Sequence, residues 1–151
     1  MTKIDTDSNL NDLSIAQTDG IKQDITKIIN QIVNDWNSGN LEEFMNSYDK
    51  SDKTLFISGH KFIHGWQNSY EFYKQKYGDN KQDMGQLQIE IKSIELLGTS
   101  HAFLYGVWHL TMIDKEHSGV TSLIFQIKDN NWKIVVDHSN KSFLNLSCVW
   151  D

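Results

Sequence analysis

The period of the apolar residues changes once along this chain, and that change constrains the fold more than any other feature. From Ile21 the apolar positions are Ile21, Ile25, Ile28, Ile29, Ile32, Val33 and Trp36, a spacing that marks one face of a helix. Later, Leu87, Ile89 and Ile91 alternate with polar residues, the signature of a strand with one covered face. A chain that opens on an amphipathic helix and closes on consecutive strands has to lay the helix stripe on a sheet, which is an α+β arrangement.

Punctuation residues refine the order. Ser38 and Gly39 end the first helix, and Asn40 opens a second as its N-cap, with Glu43 in the capping-box position. Thr54 to Ser58 and Lys61 to His64 read as a short hairpin around Ser58-Gly59-His60-Lys61. Beyond Gly65, Trp66, Tyr70, Tyr73 and Tyr77 place an aromatic stripe on a third helix that stops at Gly78, and Asp79 to Gln82 reads as a loop. Four strands follow. The first changes parity between Ile91 and Ile94, which predicts a β-bulge near Lys92 and Ser93. The second, His101 to Met112, is largely apolar on both faces, so both faces are expected to be covered. Val120 to Ile127 and Trp132 to His138 complete a meander, joined by a tight turn at Asp129-Asn130-Asn131. We expect one domain over residues 20–140, a polar arm at 1–19 and a tail at 141–151, with the sheet wrapped around the first helix.

Composition excludes several function classes. Cys148 is the only cysteine, so neither an internal disulfide nor a thiolate metal cluster can form within one chain. All 14 basic residues are lysine against 20 acidic ones, a formal net charge of −6. That balance argues against duplex DNA or an anionic membrane as partner. No apolar run is long enough to span a bilayer, and the first 20 residues lack a basic-then-apolar leader pattern, so a cytoplasmic location is expected. Proline is absent altogether.

The element order, together with Trp36-Asn37-Ser38-Gly39-Asn40-Leu41-Glu42-Glu43-Phe44, Gly65 before the third helix and the terminal Trp132 to Ser139 segment, resembles the nuclear transport factor 2-like superfamily. Ketosteroid isomerase, the SnoaL-like polyketide cyclases, scytalone dehydratase and the association domain of calmodulin-dependent kinase II belong to it, and uncharacterised SnoaL-like members are the most similar. The resemblance implies a cone-shaped fold of three N-terminal helices packed on a strongly bent, mainly antiparallel sheet, with a pocket between them. It places Trp36, Tyr48, Phe56, Phe72, Tyr73, Phe103, Tyr105, Val107 and His109 around that pocket, with Ser122 and His138 on the later strands. It also implies a homodimer through the other sheet face, where Leu104, Trp108 and Leu110 would lie.

Fold alone does not supply a function. Positions matching the isomerase's tyrosine, base and acid fall on Ile32, on Ile57 or Ser58, and on Ser122 or Leu123, which are apolar or merely hydroxylic and supply no carboxyl to shuttle a proton. Histidine remains: His109 or His138 as general acid or base, with Tyr105 or Tyr73 as orienting donor. Asp137 and His138 are neighbours on a strand and so face opposite ways, which makes a direct dyad between them doubtful. His60 sits at a hairpin tip, and His64, His101 and His117 are scattered, so no metal or cofactor is expected. Three readings stand: a pocket for a neutral or aromatic small molecule, an acid/base enzyme built on the histidines, and a non-catalytic dimeric scaffold. The expectation of a neutral ligand follows from the absence of arginine and of any lysine among the assigned pocket positions.

Overall fold

In the computed structural model, residues 13–142 are described; Cys148 lies outside them. Helix α1 (Ile15–Asn37) starts at Ile15 rather than Ile21, because Ser14 caps it. The Ser14 hydroxyl accepts from the Gln17 amide and the Gln17 side chain accepts from the Ser14 amide, a reciprocal box that extends the helix into the expected arm. Gly39, at φ 77°, turns the chain into α2 (Leu41–Met45), whose cap is the Asn40 side chain accepting from the Glu43 amide. Strands β1 (Leu55–Ser58) and β2 (Lys61–His64) form the hairpin, and α3 (Trp66–Tyr77) follows and stops at Gly78. The polar stretch after it is not wholly loop. Residues Lys81–Met84 make one helical turn, α4, because the Asn80 side chain accepts from the Asp83 amide.

Strands β3 (Gln86–Leu97), β4 (His101–Thr111), β5 (Glu116–Lys128) and β6 (Asn131–Lys141) form the meander. The six strands run in the order β2-β1-β6-β5-β4-β3, antiparallel except where β1 lies parallel to β6. The β5–β6 turn holds Asp129 and Asn130 at φ 50° and 65°, the left-handed pair that a two-residue hairpin requires. The predicted bulge is present, with the β3–β4 register shifting between Ile91 and Ser93, and a second shift separates Ile124 from Phe125 between β5 and β6.

These irregularities bend the sheet around α1. Ile25, Ile29, Ile32 and Trp36 of α1 are buried, and the core continues through Leu41, Phe44 and Met45 of α2 to Leu104, Phe125 and Ile134 of the sheet. The helix end is fixed by hydrogen bonds: Asn37 accepts from the Leu87 amide at 2.6 Å and donates to the Leu87 carbonyl at 3.1 Å, so it pairs with β3 much as a strand residue would. The buried Trp36 indole N–H donates to the Met84 carbonyl at 2.9 Å, which secures α4. Among the described residues no helix is long and apolar enough to cross a membrane.

Candidate functional site

Between the helices and the concave sheet face lies a cavity of about 100 Å³. One water needs roughly 10–15 Å³ on such a measure, and a cavity of about 150 Å³ holds a benzene ring, so the space suits several waters or about one aromatic ring. Its aromatic wall is made by Trp36, Phe44, Tyr48, Phe56, Tyr73 and Tyr77. Trp36 meets Phe44 and Tyr77 edge-on at 4.9 and 5.2 Å, and Phe56 stacks on Tyr73 at 5.0 Å. Ring faces and edges interlock in this way because of their quadrupoles, which gives the wall a fixed shape.

Polar chemistry enters from β6. Asp137 is 3% exposed and lines the cavity. The Tyr48 hydroxyl donates to its Oδ2 at 2.5 Å and the Ser139 hydroxyl donates to its Oδ1 at 2.5 Å, while Thr121 and Ser139 share a hydrogen bond of 2.7 Å. Tyr48 is held over Asp137 because the segment before β1 pairs with β6: the Asp49 amide donates to the Ile134 carbonyl and the Ile134 amide to the Ser47 carbonyl. Burial pushes the Asp137 carboxyl above its ordinary range, against the downward pull of the Ser139 and Tyr48 hydrogen bonds and the nearby His138. The Tyr48 and Tyr73 hydroxyls are raised well above ordinary values, first by burial and then by the Asp137 charge, so both stay protonated; Tyr48 donates to Asp137. The arrangement offers one carboxyl whose proton is held into a higher pH range and two phenols beside it.

Of the residues the sequence assigned to the pocket, Trp36, Tyr48, Phe56 and Tyr73 line it. Phe72 packs against Phe56 at 5.5 Å and against Tyr73 at 6.3 Å without lining the cavity. The assignments on the later strands are displaced by one residue. On β4 the cavity takes Trp108 and Leu110, with Leu104 buried on the same face, so the three residues expected at the dimer face point inward. Phe103, Tyr105, Val107 and His109 occupy the outer face, where His109 bonds the Ser118 hydroxyl at 2.9 Å and is exposed. Ser122 and His138 are likewise replaced in the cavity by Thr121, Leu123, Asp137 and Ser139. The physical reason is strand parity: β4 is apolar on both faces, so alternation alone did not say which face is concave. Asp137 and His138 do face opposite ways, with the carboxyl inside and the imidazole exposed.

Lys76 and Lys141 also line the cavity, which removes the premise for a strictly neutral ligand. Lys76 lies on the α3 face that carries Tyr73 and Tyr77, and Lys141 shares the inward parity of Asp137 and Ser139; parity on β6 was the signal that would have found the last three. Ile32, Ser58 and Leu123 line the cavity at isomerase-like positions but hold no acid. Among the described residues no three His, Cys, Asp or Glu side chains converge as a metal site.

A family model described as the calcium/calmodulin dependent protein kinase II association domain matches residues 21–142. An NTF-2 like protein of unknown function from Shewanella oneidensis MR-1 is 32% identical, with 79% of this chain and 98% of that chain covered and a TM-score of 0.75. A nuclear transport factor 2 (NTF2-like) superfamily protein from Salmonella enterica serovar Typhimurium is 21% identical over 85% of this chain and 95% of that one, at TM-score 0.68. A ketosteroid isomerase-like protein from Erwinia carotovora atroseptica is 13% identical over 80% and 95%, at TM-score 0.66. The last two likenesses concern the fold alone. No curated protein matches the chain.

The raised Asp137 pKa has a consequence for stability. The folded state holds this proton more tightly than the unfolded chain, whose carboxyl titrates near 3.8. Stability from this group is therefore fully present below that pH and is lost as pH rises through the folded pKa. Asp137→Asn lacks the titration, so its stability relative to the parent should rise with pH across that window and then level off. Urea denaturation of both proteins from about pH 3 to pH 8 measures the difference, and a difference independent of pH would contradict the burial argument.

Proposed function

The chain belongs to the calcium/calmodulin dependent protein kinase II association domain family and has the nuclear transport factor 2-like fold, and from that premise we propose that it is a small-molecule-binding domain whose ligand occupies the helix-side cavity. The observation that carries this reading is the Asp137 carboxyl, held by Tyr48 and Ser139 inside an otherwise mostly apolar, aromatic-walled space. An apolar pocket with a few convergent polar groups and a perturbed pKa is the usual form of a ligand site. About one ring fills the volume, and its polar substituent meets the Asp137 cluster. Any proton transfer in this cavity would run through Asp137, since His109 and His138 lie on the far side of the sheet.

The test is an NMR titration with 4-methylphenol, a single neutral ring with a hydroxyl. Shifts are expected at Tyr48, Tyr73, Thr121 and Asp137, and Ile89→Trp, which grows a ring into the cavity, should weaken binding about ten-fold or more, or roughly 1.4 kcal/mol. Shifts confined to Tyr105 and His109, or none at all, would overturn the assignment.

We further propose that the outer sheet face pairs two copies of the chain. Tyr105 is 43% exposed and Val120 59% exposed on that face, beside Phe103, and contiguous apolar surface of this kind favours self-association. Tyr105→Glu should give a monomer in sedimentation where the parent sediments as a dimer; a parent already monomeric, or an unchanged mass in the variant, would remove this interface.

A further inference from the structure

Lysine is unevenly used around the cavity. The chain as a whole carries a charge of −6, yet Lys76 and Lys141 both line this one space, and Lys61 lies near enough for its charge to act on Lys76. Among the described residues the ion pairs are Lys74 with Asp79, Lys92 with Glu90 and Lys128 with Asp49; Lys61, Lys76 and Lys141 have no carboxylate partner among them. Like charges gathered without a counter-ion raise the energy of the empty site, and a bound anion relieves it.

We propose that the ligand of this cavity is a small organic acid, with its anionic group between Lys76 and Lys141 at one end and its ring, with any neutral polar substituent, directed toward Asp137. The inference rests on the small-molecule reading above and gives that ligand its chemical class.

Four features support the polarity of the site. Lys76 is held in place, its ammonium 5.6 Å from the Phe72 ring and 5.3 Å from the Tyr77 ring, so the charge is positioned by aromatic faces. Partial desolvation, at a position that is still exposed, and the charges of Lys141 and Lys61 lower the Lys76 pKa, the response of a cation lacking a counter-ion. Trp108, another lining residue, buries an indole N–H that has no acceptor among the described residues, and an anion's oxygen supplies one. Gly119 lies between Trp108 and Lys141 in register and lets the indole pack there; a Cβ would stand 2.9 Å from Trp108 Cε2 and 1.8 Å from the Asn140 carbonyl oxygen. Asp137 and Lys141 share the inner face of β6 four residues apart, about 13 Å along the strand at ~3.3 Å per residue. The carboxyl end of the cavity repels an anion and the lysine end attracts one, so a single-ring acid has one favoured orientation.

Phenylacetate and phenylacetamide, equal in shape and different in charge, test this by calorimetry on the full chain. Phenylacetate is expected to bind about ten-fold more tightly at low salt, the difference between charge-assisted and neutral hydrogen bonds, and to lose that advantage as salt is raised. The double variant Lys76→Met, Lys141→Met should abolish the preference while keeping the phenylacetamide affinity; Lys141→Gln, at an exposed position, gives a single-site version that leaves the wall intact and should reduce the preference in part. Equal affinities for the two compounds, or a preference unchanged in these variants, would overturn the anion inference and leave the pocket reading standing. If 4-methylphenol also fails to bind, both fall together.

Discussion

Two register shifts, at Ile91/Ser93 and Ile124/Phe125, bend a sheet that would otherwise lie flatter against α1, and the contact between that helix and the bent sheet sets the rest of the structure. The α1 stripe of Ile25, Ile29, Ile32 and Trp36 is buried against the sheet, and its last three residues reach the cavity wall. Aromatic rings from α1, α2, β1 and α3 line the remaining space between helices and sheet without filling it. A cavity follows from the mismatch between one helix's width and a curved surface, in a protein whose interior is otherwise close-packed.

What the cavity contains is set by parity on β6. Asp137, Ser139 and Lys141 fall on the inner face, so one strand delivers a buried carboxyl, a hydroxyl bonded to it and, further along, a lysine. A buried carboxyl is costly unless its oxygens are satisfied, and here Tyr48 and Ser139 each donate to one of them. The pairing of residues 47–49 with Ile134 puts Tyr48 where that donation is possible. The polar cluster is thus built into the sheet and its flanking segment rather than carried on a loop, which gives it the rigidity a selective site needs.

Much of this was legible in the chain. The switch from helical to alternating apolar spacing, the bulge near Ser93, the Gly39 and Asn40 junction and the Asp129-Asn130 turn are local patterns whose physics acts over a few residues, and the order of elements led to the fold. Residues on elements with one plainly apolar side, such as Trp36, Phe56 and Tyr73, line the cavity where that side leads. The failures lie where local pattern carries no direction. On β4, Phe103, Tyr105 and Val107 are as apolar as Leu104, Trp108 and Leu110, and only the tertiary bend decides which set faces α1. That one choice carries His109 to the pocket and Trp108 to the other face, whereas in the structure Trp108 lines the cavity and His109 is exposed on the outer face. Lys76 lies on an aromatic helix, where a lysine reads as surface until the elements opposite it are known. The early start of α1 at Ile15 and the turn of α4 both rest on capping bonds from Ser14 and Asn80 that apolar periodicity does not register.

The account turns on Asp137 being a buried carboxyl that lines the cavity, and a carbon-detected NMR titration of its side chain measures that directly. The midpoint should lie above the ordinary 3.8 and move further up in Tyr48→Phe, which removes a hydrogen bond that holds it down. A midpoint at or below 3.8, unmoved by the loss of the Tyr48 hydroxyl, would place the carboxyl in solvent and contradict the site as a whole.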